Sequence, residues 1–134
     1  MVADDCDGPL HPKAIEGLRM FNSGRYFEAH EELEAAWKNE PGQVRELYQG
    51  ILEAGVTYLH IKRGNYAGAV KVYARSMRWL RQWPEICRGV EVGRLRNDLT
   101  AAIDEAKRLG EKGISEFNLE LLKPVIWKEI RDGK

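Results

Sequence analysis

Apolar residues recur at helical spacing in five stretches of the chain, separated by short runs rich in glycine, proline and asparagine. Pro12 can occupy the first turn of a helix that runs to about Asn22 and carries Ile15, Leu18, Met20 and Phe21 inward. Ser23-Gly24 breaks it. A second helix follows from about Arg25 to Lys38 and stops at Glu40-Pro41-Gly42. The third, Val44 to Arg63, is apolar on nearly all sides, with Leu47, Ile51, Ala54, Tyr58 and Ile61 on one flank and Leu52, Val56 and Leu59 on another. Such a helix belongs at the centre of a bundle. Gly64-Asn65 turns the chain into a fourth helix, Tyr66 to Gln82, ended by Trp83-Pro84. Val92, Leu95, Leu99, Ile103, Ala106 and Leu109 mark a fifth, closed by Gly110 and Gly113. Around Pro124 the pattern loses its period, which predicts a short turn and extended chain. The expectation is an all-α, compact bundle of about five helices, with a flexible lead over residues 1–11, one helical domain over 12–127 and a tail over 128–134.

The two elbows resemble each other. Ser-Gly-Arg-Tyr-Phe-Glu-Ala at 23–29 matches Arg-Gly-Asn-Tyr-Ala-Gly-Ala at 63–69, so each half reads Gly-x-Tyr-x-x-Ala at a helical hairpin. The pattern is similar to the elbow of tetratricopeptide hairpins, with small residues admitting the second helix and a tyrosine filling the groove. Two such units are too few for a solenoid, which again predicts a closed bundle.

Polar residues on the inward faces are the candidates for chemistry. On the second helix, Tyr26, Phe27, His30, Leu33, Glu34 and Trp37 fall within roughly 60° of His30, so an imidazole and a carboxylate share the apolar stripe. Burying an unpaired ion costs several kcal/mol, and both groups therefore need partners. The third helix offers Gln49, Glu53 and His60 in one row. In an antiparallel hairpin through residues 39–43, Glu34 comes opposite Arg45 to Gln49, and His30 opposite Gln49 to Glu53. Two readings follow. One is a structural network of His30, Glu34, Arg45, Gln49 and Glu53 that sets the hairpin register. The other is a divalent metal held by His30, Glu34 and Glu53, with Glu31 or Gln49 orienting a hydrolytic water. The segment reads His-Glu-x-x-Glu, without the second histidine of zinc-protease helices. His60 lies ~10 Å beyond Glu53 by helical rise and forms, with Arg63, a second polar site. There the imidazole reads as a C-terminal cap favoured by the helix dipole.

Charge and composition narrow the classes. The 134 residues carry 21 Lys plus Arg and 21 Asp plus Glu, so no global field draws the chain to nucleic acid or an anionic membrane. Lys71, Arg75, Arg78 and Arg81 nevertheless form a basic stripe on the fourth helix, suited to phosphates or an acidic partner. No run approaches the ~18 apolar residues of a membrane span. Cys6 and Cys87 are too few and too far apart for a secreted framework, which predicts a reducing, cytoplasmic setting. Trp37, Trp79, Trp83 and Trp127 read as core or rim packing, and His11 as exposed. Glycine-rich phosphate loops, Cys-x-x-Cys pairs and the familiar Ser/His/Asp orders are absent. The apolar tail around Trp127 suits docking on the bundle itself or on a partner protein or second subunit.

The run Phe21-Asn22-x-Gly24-x-Tyr26-Phe27-Glu28-Ala29-His30-Glu31-x-Leu33-Glu34-x-x-Trp37, followed by Gln49-Gly50-Ile51-Leu52 and His60-x-x-Arg63-Gly64-Asn65 with Gly68-Ala69, resembles the family known as domain of unknown function 309. The resemblance covers roughly residues 12–85. It implies a helical fold with tetratricopeptide-like packing, and it carries the family's label of predicted metal-dependent hydrolase. One position departs: the residue after Ile51-Leu52, often glutamine in the family, is Glu53 here. A glutamine is the poorer metal ligand, which speaks against a shared mechanism through Glu53. A non-catalytic binding or interaction domain is the leading expectation, with the metal-dependent hydrolase second.

Overall fold

The computed structural model describes residues 5–130. Five helices run in the order α1 (Pro12–Asn22), α2 (Tyr26–Asn39), α3 (Arg45–Lys62), α4 (Tyr66–Leu80) and α5 (Val92–Gly113), forming the all-α bundle that the periodicity predicts. α3 is the central element: 11 of its 18 residues are buried, among them Leu47, Tyr48, Ile51, Ala54, Tyr58 and Ile61. α2 packs on one side of it and α4 on the other, while α1 backs α2 and α5 backs α4.

The elbows are built as their shared sequence implies. Gly24 and Gly64 take φ values of 79° and 73°, a left-handed conformation that only glycine adopts without strain. One helical turn later, Ala29 and Ala69 are buried where their helix meets its predecessor. Tyr26 joins Phe21 and Tyr58 in a three-ring edge-on cluster, with centroids 5.3 to 5.7 Å apart. Between α3 and α4 the approach is closest at Gly50. A Cβ there would stand 2.6 Å from Cδ2 of Leu80 and 3.2 Å from Cβ of Trp79, and the Ser76 hydroxyl donates to the Gly50 carbonyl at 2.8 Å. At the far end of α4, Arg96 of α5 donates to the carbonyls of Leu80 and Trp83. These are groups a helix terminus would otherwise leave unsatisfied.

Two features differ from the sequence-based expectation. First, Cys6 and Cys87 form a disulfide across a separation of 81 residues, in place of free thiols. Residues 5–11 are therefore tied to the bundle and are not a free lead. The Asp5 carboxylate accepts from Val44 N at 2.9 Å, Leu10 is buried, and Arg88 donates to the carbonyls of Asp5 and Pro9. His11 is half-buried, and its Nδ1 accepts from Lys13 N as the cap of α1. Residues 1–4 of the expected lead, and 131–134 of the expected tail, lie outside the described residues.

Second, the segment after Pro84 is a small antiparallel hairpin, β1 (Ile86–Cys87) with β2 (Val90–Glu91). Trp127 bridges to Val90 as a third line of pairing. The tail docks on its own bundle in this way, and the Asn22 side chain pairs with both backbone groups of Val125. α5 leaves helical geometry at Gly110, where φ is 72°, one of the two glycines that the sequence reads as closing it. No helix among the described residues is long and apolar enough to cross a membrane.

Candidate functional site

His30, Glu34 and Trp37 lie one helical turn apart along α2 and face α3, as their spacing requires. With Gln49 and Leu52 of α3 and Trp79 of α4 they line an open groove of about 400 Å³. α3 is its floor, and α2 and α4 are its walls. Trp79 reaches it because Gly50 lets α4 lie against α3 without an intervening side chain.

The polar groups divide into two sets. Glu53, 8% exposed, is fully engaged. Its Oε2 accepts from Gln49 Nε2 at 2.6 Å, and its Oε1 accepts from Arg75 Nε at 3.0 Å. A carboxylate this buried must be compensated, and Arg75 supplies the counter-charge from α4. One of the four cations of the basic stripe is thereby paired, although the Arg75 side chain stays about half exposed. Lys71, Arg78 and Arg81 remain exposed.

The second set is open. His30 and Glu34 are half-buried, and among the described residues neither side chain has a hydrogen bond or ion pair within the protein. The pairing of Glu34 with Arg45 expected from the hairpin register is not formed. The Arg45 guanidinium instead lies over the Trp37 ring, 4.6 Å from its centre, where a flat cation meets the negative face of an indole. Nor does His30 bond to Gln49 or Glu53. The expected five-residue network is thus a triad of Gln49, Glu53 and Arg75, beside two unpartnered groups.

The metal set is not assembled. Among the described residues, no three His, Cys, Asp or Glu side chains are placed to hold an ion together, and both Glu53 oxygens point to Gln49 and Arg75. Glu31 is exposed and lies outside the groove lining, too far round α2 to orient a water there. Gln49 lines the groove, but its amide is committed to Glu53.

His60 and Arg63 likewise do not form one site. Arg63 borders a separate cleft with Lys62 and Ser115. His60 sits in the last turn of α3, with Nδ1 3.1 Å from the Asn65 side-chain nitrogen. Asn65 Oδ1 already accepts from Gly68 N, so the amide nitrogen donates to Nδ1, which only a neutral ring can allow. Desolvation first, then the charges of Arg63 and Arg75, hold this imidazole below the usual histidine range. A dipole-stabilised cation would show the opposite shift.

The sign of the pH dependence follows. The unfolded chain takes up its proton at a higher pH than the folded one, so the His60 contribution is present above about pH 6.5. It is lost as pH falls through the lower folded value. Replacing His60 by Gln, which keeps an acceptor, is expected to flatten the urea midpoint between pH 7 and 5.5 relative to wild type. Parallel curves for the two proteins would show that His60 does not carry the effect.

Sequence reasoning missed three groove residues: Leu52, Trp37 and Trp79. Trp37 was legible as the next turn of the stripe through His30 and Glu34, but aromatic residues at helical spacing signal core first. Trp79 carried no such cue, because its place depends on how closely α4 approaches Gly50.

Comparison with known proteins adds a family resemblance over part of the chain. The family model of Domain of unknown function (DUF309) matches residues 14–72, from α1 into α4, which includes all of the groove except Trp79. The uncharacterized protein YpuF of Bacillus subtilis (strain 168) is 42% identical over 74 residues, 53% of this chain and 42% of that protein. An uncharacterized protein of Aquifex aeolicus (strain VF5) is 26% identical over 108 residues, 78% of this chain and 32% of that one. The chain therefore spans less than half the length of these curated relatives. Residues 14–72, which carry the α1 to α4 hairpins and the His30/Glu34 stripe, are thus similar to the DUF309 family.

Proposed function

We propose that this chain is a non-catalytic binding domain whose receiving surface is the groove between α2 and α4. One observation carries the reading: two indoles, an imidazole and a carboxylate open onto the same groove, and the two polar groups have no partner among the described residues. Both groups reach the open groove, where they are available to a group brought from outside. They suit a surface that completes its hydrogen bonding with a ligand, flanked by apolar area that supplies the burial. The metal-dependent reading that uses Glu53 is poorly served, because that carboxylate is held by Arg75 and Gln49 and is not free to act as a base or ligand.

The test is a fragment screen followed by the indole N–H signals of uniformly labelled protein. Ligands are expected to move the Trp37 and Trp79 signals while leaving those of Trp83 and Trp127 in place. Hits that cluster elsewhere on the molecule would overturn the assignment of the groove. Near-stoichiometric metal in the purified protein, lost on His30→Ala, would overturn the non-catalytic reading in favour of a metalloenzyme.

A further inference from the structure

We infer that the occupant of this groove is a guanidinium group, presented as an arginine side chain by a partner protein. This rests on the binding reading above and adds the chemistry of the bound group. Three features of the lining point to it. The Glu34 carboxylate faces the groove with no cation within ion-pair distance among the described residues, so it lacks the counter-charge that a half-buried acid favours. Trp37 and Trp79 border the same space, and an indole face attracts a flat, weakly hydrated cation more strongly than any other aromatic side chain does. Arg45 already demonstrates the affinity, since its guanidinium rests 4.6 Å from the centre of the Trp37 ring.

The electrostatic setting agrees. α2 carries Glu28, Glu31, Glu32 and Glu34 against a single Lys38, and Glu31 and Glu34 have no ion-pair partner among the described residues. On the opposite wall, the cation nearest Trp79 along the helix face is Arg75, which is paired with Glu53 and does not line the groove. Arg78 and Arg81 are not among the residues that line the groove. Leu52 gives the aliphatic stem of an arginine an apolar surface, in the way long cationic side chains commonly bury their methylenes. An anionic group would meet Glu34 directly and find no unpaired cation on the groove lining to offset it.

The experiment uses three capped residues as probes: N-acetyl-arginine amide, N-acetyl-norleucine amide and N-acetyl-glutamate amide. Each is titrated into the full chain while the four indole N–H signals are followed. The arginine probe is expected to move the Trp37 and Trp79 signals saturably, and the other two to leave them in place. Glu34→Gln should weaken the arginine probe by roughly fivefold, and Arg45→Ala, which frees the Trp37 face, should tighten it. Equal response to arginine and norleucine would overturn the guanidinium assignment while leaving the groove as a binding site. Response to the glutamate probe alone would do the same. Silence of both groove indoles with all three probes and with the fragment screen would overturn the binding reading itself. Free arginine binding tenfold more tightly than the capped form would replace the protein partner by a small molecule.

Discussion

Reducing the Cys6–Cys87 disulfide is expected to lower the stability of the folded chain by about 4 kcal/mol, the chain-entropy value for a closed loop of this size, across its separation of 81 residues. For a domain of this length that corresponds to a fall in Tm of ~10–15 °C. The effect should be large because the bond fastens the segment before α1 to the β1/β2 hairpin, which stands between α4 and α5 in the chain. Cys87 is fully buried, and the backbone N–H of Arg88 donates to the Cys6 carbonyl at 2.9 Å. Losing the bond also loosens Asp5, whose carboxylate accepts from Val44 N at the start of α3. Thermal melts with and without a phosphine reductant, and of Cys6→Ser, measure this directly. Two free thiols titrated in the unfolded, unreduced protein would show that the bond does not form.

Gly50→Ala is expected to cost about 2 kcal/mol, within the usual range for forcing extra volume into a packed core. The added methyl would meet Leu80, which is fully buried, and the backbone end of Trp79. Neither can swing into solvent, so α4 must move away from α3 and strain the Ser76 hydroxyl's bond to the Gly50 carbonyl. Because Trp79 is a wall of the groove, the same displacement should shift its indole signal and weaken any groove ligand. A second change, Leu80→Val, should restore part of the stability by returning the volume. An unchanged urea midpoint in Gly50→Ala would mean that the helices separate freely at this point, and the groove would lose its fixed width.

How far the site could be read in advance depends on which forces place each residue. His30 and Glu34 sit on the stripe where the period of α2 puts them, and Gln49 bonds to Glu53 within one helix turn. Both facts are local, set by 3.6 residues per turn. The spacing along α4 places Arg75 in a basic stripe, and it meets Glu53 because α4 packs closely on α3 near Gly50. Arg45 was assigned to Glu34 by counting from the hairpin turn, which gives axial register but not rotation about the helix axis. The indole of Trp37 took the guanidinium instead. The disulfide was hidden for a related reason: residues 81 apart meet only after the whole bundle has closed, and no spacing rule connects them.

By itself the sequence determined the number of helices, the glycine elbows at 24 and 64, the central position of α3 and the inward placement of His30 and Glu34. These follow from hydrophobic periodicity and turn chemistry, which act within a few residues. Only the tertiary structure decided which charges pair, where the cysteines meet and which indoles border open space. Those outcomes depend on the distance and rotation between helices. Close packing at small residues such as Gly50 sets both, and that is a property of surfaces brought together from distant parts of the chain.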